Sequence, residues 1–166
     1  MERTEDPARP RGSADHTGHA GAPAHRDAAA ILVRATEDEA AADEARERYR
    51  IQAMPALEPD ARVAALLGPD EQVVAVRRSV FLDRRHPSPG TDAPTGLGGD
   101  LYVTSRRLLL AGRLTLSFEL DRIDDVLLSG ERLLVVMRDG QGASIEGSGP
   151  RLLRVEIAAA RAAARR

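Results

Sequence analysis

Arg77, Arg78, Arg84, Arg85 and His86 gather four guanidinium groups and an imidazole into a short stretch of chain. Guanidinium forks match the oxygens of carboxylates and phosphates, so these five are the candidate ligand-binding residues, for an anion. Asp83 interrupts the group, and the following stretch turns to proline, glycine and Asp92. The competing reading is a solvated loop with ordinary surface arginines, and near-neutral charge in this part of the chain favours it. A second pair, Arg106-Arg107, is either a rim contact for a ligand or structural. The structural reading pairs Arg107 with a turn carboxylate such as Asp100 or Asp121 and leaves Arg106 solvated. Arg–carboxylate pairing at turns is common enough to prefer it.

Other chemistries find no matching residues. There is no cysteine, which excludes disulfides, thiolate metal sites and cysteine nucleophiles. His16, His19 and His25 stand in a compositionally biased stretch without the fixed geometry a metal needs. Asp124 and Asp125 are neighbours on an expected strand and point to opposite faces, so they cannot clasp one ion together with Asp121. Gly96-Leu97-Gly98-Gly99 leads into a strand, so it offers no helix N-terminus for a phosphate. No G-x-S-x-G elbow is present, and His86 is the only histidine beyond the N-terminal stretch. No catalytic residue, cofactor or metal is expected, and an uncharacterised enzyme ranks last among the functional readings.

These residues need a framework to position them. The chain has 166 residues, room for one ordinary domain with extensions. Aromatic residues make up only 2%, so the core must be built from Leu, Val and Ile. All 24 basic residues are arginine, which with abundant alanine reads as GC-rich coding of the actinobacterial kind. A net charge of −2 argues against bulk nucleic-acid binding and against strong attraction to an anionic membrane. Only residues 151–166 are basic, with five arginines against Glu156. The acidic start Met1-Glu2-Arg3-Thr4-Glu5-Asp6 lacks a secretory apolar stretch, and no run reaches membrane-helix length. A cytoplasmic protein is expected, with contact at the inner face of the membrane as a further option.

Residues 1–26 lack periodic apolar positions and read as a disordered tail. A helical extension follows over 27–68. Asp27 is its expected N-cap, and good helix formers run from Ala28 to about Ala53 with Asp43–Arg46, Glu44–Arg48 and Glu47–Arg50 at helical spacing. Its apolar seam, Ile31, Ala35, Ala42, Ala45 and Tyr49, is thin, so most of its faces are expected to be solvated. Asp60 to Leu67 reads as a second short helix. Strand patterns begin at Gln72, with a bulge expected at Arg77-Arg78. Residues 84–99 read as a long loop. Strands are expected at 101–104, 107–111, 114–120, 123–128, 133–137 and 142–146, with Asp139-Gly140 as a hairpin turn. Pro150 opens a closing helix whose stripe is Leu153, Ile157, Ala160 and Ala164, widened by Leu152 and Val155. Seven strands in about eighty residues, then one helix, predict a mainly β domain over 69–166: an antiparallel sandwich or barrel capped by a C-terminal helix.

Gly99-Asp100-Leu101-Tyr102-Val103-Thr104-Ser105-Arg106-Arg107-Leu108 resembles the G-x-L-x-V-T-x-x-R-L segment of bacterial pleckstrin-homology (PH) and GRAM-like domains. Leu120-Asp121-x-Ile123-x-x-Val126 resembles the segment that follows it in that family. The likeness covers about residues 70–166. It implies the seven-stranded PH-like topology and a binding or scaffold role rather than catalysis. In eukaryotic PH domains, basic residues by the first strand pair grip phosphoinositide headgroups, and the five candidates surround the equivalent loop. Two functional expectations follow: a non-enzymatic module or scaffold that binds a protein partner, and a peripheral membrane adaptor for anionic lipid headgroups.

Overall fold

A computed structural model describes residues 22–85 and 96–165. In chain order these form helix α1 (Ala22–Ile51), helix α2 (Ala61–Ala64), strands β1 (Val73–Arg85), β2 (Gly96–Thr104), β3 (Arg107–Gly112) and β4 (Thr115–Glu119), a 3-10 turn (Leu120–Arg122), strands β5 (Ile123–Ser129), β6 (Arg132–Met137) and β7 (Gly142–Glu146), and helix α3 (Pro150–Ala164). The strands make one sheet in the order β4-β3-β2-β1-β7-β6-β5, with every neighbouring pair antiparallel. Seven antiparallel strands followed by a closing helix are the PH-like architecture expected from the sequence.

The core is aliphatic. Leu82, Leu101, Leu108, Leu110, Leu120, Ile123, Leu133 and Ile157 are all fully buried in its main cluster. β3 is buried on both faces: Leu108 and Leu110 face the main core, while Leu109 and Ala111 pack with Val63 of α2 and Tyr102. An unbroken apolar run is what a strand covered on both sides requires. α3 lays Leu153, Ile157 and Ala160 into the core, whereas Ala164, expected in that stripe, is exposed in the last turn.

Several boundaries depart from the sequence reading. α1 begins at Ala22, ahead of the expected N-cap Asp27, and residues 22–26 belong to it rather than to a disordered tail. The rest of that tail, 1–21, lies outside the described residues. α2 is a single turn, capped by the Asp60 carboxylate accepting from the Val63 N–H at 3.0 Å. The strand expected over 114–120 is shorter, because Leu120 turns into the 3-10 segment to reach the core.

β2 is the largest departure. It starts at Gly96, inside the expected loop, because Gly96, Leu97, Gly98 and Gly99 pair with Asp83, Leu82, Phe81 and Val80 of β1. Two of the glycines, Gly96 and Gly99, are needed for close approach there. A Cβ on Gly99 would lie 2.8 Å from the Ala111 carbonyl oxygen.

The expected bulge at Arg77-Arg78 is present. Arg77 pairs with Leu101 and Val80 with Gly99, leaving Arg78 and Ser79 as extra residues opposite Asp100. Ser79 adopts φ 55°, and its N–H donates to Asp100 at 3.0 Å.

Candidate functional site

α1 was expected to be largely solvated, yet its middle turns dock on α3. Ala42 and Ala45 pack on Val155, with Tyr49 and Leu152 alongside. Asp38, one helical turn before Ala42, reaches the start of α3. Its carboxylate accepts from the Arg151 N–H at 2.7 Å and the Leu152 N–H at 3.0 Å. Gly149, in the left-handed region at φ 65°, stands at the N-cap position of α3 and has no side chain to cap with. A helix start leaves donors unsatisfied, and here α1 supplies the acceptor. The outward sides of α1 carry the three acid–arginine pairs expected from spacing, Asp43–Arg46, Glu44–Arg48 and Glu47–Arg50.

Beside this junction lies a cleft of about 950 Å³. Its walls are the first half of α1, the β1 bulge and the turn from β7 into α3. Ile31, Ala41, Val76 and Leu152 give it an apolar lining, and Arg77 and Arg78 stand at its bulge wall.

Several charges around the cleft are paired within the chain, whereas Arg34 and Glu37 of its lining have no ion pair among the described residues. Arg77 meets Glu156 of α3 at 2.7 Å, with both side chains largely buried. Burial pushes the Glu156 carboxyl above its usual range; the Arg77 charge opposes this and the nearby Asp38 charge adds to it. Arg78 donates to Asp100 at 2.6 Å and to the Tyr102 hydroxyl at 3.0 Å. The Arg78 hydrogen bond, then that of the Ser79 N–H, hold Asp100 below the ordinary carboxylate range. Tyr102 in turn donates to Asp60 at 2.8 Å. Asp60 is held down by the Val63 N–H first and by Tyr102 second. Arg151 lies within 3.1 Å of Glu131 and 3.2 Å of Glu39.

The candidate residues whose side chains are described, Arg77, Arg78 and Arg84, are not gathered into one patch. Arg77 and Arg78 flank the bulge, and Arg84 and Arg85 stand about 20 Å further along the same strand at an extended rise. The backbones of Arg84 and Arg85 pair with Ala143 and Gly142 of β7. Arg84 is half-buried and has no ion pair among the described residues. His86 lies outside the described residues, as do His16 and His19.

Arg107 is structural, as preferred from the sequence, but its carboxylate is Glu71 rather than Asp100 or Asp121. Its Nε and Nη2 reach Glu71 at 2.9 and 3.0 Å, and Nη2 also donates to the Leu66 carbonyl at 2.7 Å. The Thr104 hydroxyl donates to Glu71 at 2.7 Å. Burial alone would raise Glu71, but the hydrogen bonds from Arg107, Gly68 and Thr104 outweigh it and hold the carboxyl low. Arg106 is exposed. Asp124 and Asp125 are both exposed, because a register shift between Ile123 and Asp125 breaks the alternation. No group of three potential metal ligands occurs among the described residues.

Sequence reasoning missed Asp38, Arg151 and Glu156. One signal was available for the first: Ser148-Gly149-Pro150 opens α3 with glycine at the cap position, so the capping acceptor had to come from elsewhere.

No family model matches the chain. No curated protein matches it. Among solved structures, the chain is similar to the C-terminal domain of an unknown protein from Leishmania infantum, at 15% identity and TM-score 0.40, over 58% of this chain and 85% of that one. It is also similar to the pleckstrin homology domain of USP37, at 16% identity and TM-score 0.39, over 52% of this chain and 95% of that one. No helix among the described residues is long and apolar enough to cross a membrane.

Proposed function

We propose that the protein is a non-enzymatic PH-like interaction module that binds a protein partner in the cleft between α1, the β1 bulge and the start of α3. The carrying observation is an apolar lining beside two bulge arginines that are already paired within the chain. A headgroup phosphate needs guanidinium groups free to reorganise around it, whereas Arg77 and Arg78 are committed to Glu156 and Asp100. A polypeptide side chain needs apolar surface, and Ile31 at the rim is half exposed, followed by exposed Leu32 and Val33.

A second reading, an adaptor for anionic lipid headgroups, draws on Arg84, which has no ion pair among the described residues, together with Arg85 and His86. One experiment separates the two. A photoreactive residue at position 31 should yield a discrete protein adduct in cells, while one at position 50, on a solvated side of α1, should not. No adduct from position 31, together with salt-sensitive liposome co-sedimentation lost in Arg84→Ala/Arg85→Ala, would replace the first reading with the second.

A further inference from the structure

α1 is held by a small set of contacts that the rest of the fold does not share. Its extended packing is against α3 rather than the sheet. α3 buries residues on two sides. Leu153, Ile157 and Ala160 turn into the main core. Val155 belongs to a separate cluster with Ala42 and Ala45 of α1, edged by Tyr49 and Leu152. No Leu, Ile or Val of α1 joins that cluster. Alanine buries little apolar area, so the cluster adds far less than the core beneath α3. The remaining ties are polar and gathered at one turn. Asp38 accepts from the Arg151 and Leu152 N–H groups, and Glu39 meets the Arg151 guanidinium at 3.2 Å.

The chain that follows α1 is anchored independently of it. The Gln52 N–H donates to the Arg48 carbonyl at 2.9 Å and closes the helix. Met54 already packs against the main core. The Leu57 N–H donates to the Val73 carbonyl at 2.8 Å and joins this segment to β1. Gln52 and Ala53, both exposed, stand between the helix and these anchors.

We propose that α1 is a hinged strap, pivoting at Gln52-Ala53 and leaving α3 while the sheet, its core and α3 stay folded. Segments joined by few buried apolar contacts open at lower free energy than the core, as separate cooperative units. Opening gives up the Ala42–Ala45–Val155 cluster and the ties of Asp38 and Glu39. The main core keeps its cover, because Leu153, Ile157 and Ala160 remain in place. Arg151 retains Glu131, and Glu156 retains Arg77. Once released, α1 keeps the helical support of its three acid–arginine pairs. The strap also governs the cleft. Ile31 and Ala41 of α1 form one wall, so the cleft exists only when the strap is closed. An occupant that touches this wall binds the closed form and holds it shut. Only this coupling rests on the proposed binding function; the hinge stands without it.

Thiol labelling of the full chain tests the hinge. The sequence has no cysteine, so a single introduced thiol reports opening at its own position. Val155→Cys and Ala45→Cys each place the thiol under the strap, and Val135→Cys places it in the main core. Circular dichroism confirms that each variant is folded, and each labelling rate is divided by that of the same variant unfolded. The thiols at positions 155 and 45 should react at least about 100-fold faster than the one at 135. Their rates should be nearly flat in low urea, while the rate at 135 climbs with the full unfolding slope. Adding Asp38→Ala to Val155→Cys should speed its labelling by about 30-fold, the loss of a cap and of a charge at a helix start. Equal rates with equal urea slopes at all three positions would mean one cooperative unit and overturn the inference. So would a rate at position 155 unmoved by Asp38→Ala. Labelling involves no partner, so its outcome is separate from whether position 31 yields an adduct.

Discussion

Replacing Asp38 by alanine tests whether α1 is part of the folded domain or an appendage. The Asp38 carboxylate takes the N–H groups of Arg151 and Leu152 while only 9% exposed. Losing a capping side chain costs about 1 kcal/mol and up to about 2. Removing a negative charge from the positive end of a helix adds about 0.5 kcal/mol. The expected total is about 2 kcal/mol. For a chain of this size that lowers the melting temperature by about 4–8 °C. Urea denaturation should show a lower midpoint with an unchanged slope, since little new surface is exposed in either state. Asp38→Asn keeps an acceptor oxygen and loses the charge, so it should fall about midway between wild type and Asp38→Ala. An Asp38→Ala protein within about 0.5 kcal/mol of wild type would refute the reasoning, because that is the size of an ordinary surface change.

Two further perturbations test the framework of the sheet. Glu71→Gln breaks the Arg107 pair that ties the turn before β1 to the β2–β3 turn, at an expected cost of about 2 kcal/mol, below the roughly 3–5 kcal/mol of a fully buried pair because Arg107 is partly exposed. Because the folded protein holds Glu71 below its ordinary value of 4.5, this contribution is complete above that value and fades as pH falls through the lower folded one. Urea midpoints taken from pH 6 down to pH 3 should therefore converge for wild type and Glu71→Gln; parallel lines would refute the assignment. Gly99→Ala drives a Cβ to 2.8 Å from the Ala111 carbonyl oxygen and should cost about 2 kcal/mol by overpacking. Gly98→Ala meets nothing within 4 Å and serves as the control in the same thermal melts.

The strands after residue 100 were legible because each carries its own signal. Leu116 and Phe118 alternate with Thr115, Ser117 and Glu119, so local sequence decides the strand, while its ends at Thr115 and Glu119 were set by the hairpin bend and by Leu120 turning into the core. The three acid–arginine pairs of α1 were legible for the same reason: helical spacing alone brings them together. Gly96 to Gly99 were not legible as strand. Glycine has weak strand preference, and only the close passage of Phe81 of β1 at Gly96 and of Ala111 of β3 at Gly99 makes it the residue that fits at those two positions.

The candidate site divides along the same line. The sequence by itself determined an aliphatic, mainly β domain closed by a helix, a bulge at Arg77-Arg78, and a structural role for Arg107. These follow from residue type, spacing and turn chemistry within a few positions. Only the tertiary structure decided the partners: Asp38 with the start of α3, Arg77 with Glu156, and Arg107 with Glu71. Each joins residues separated by 36 positions or more. Any carboxylate on a solvated face looks alike in a sequence. Which one becomes a cap or a counter-ion depends on which helix face and strand edge the fold brings within 3 Å of it.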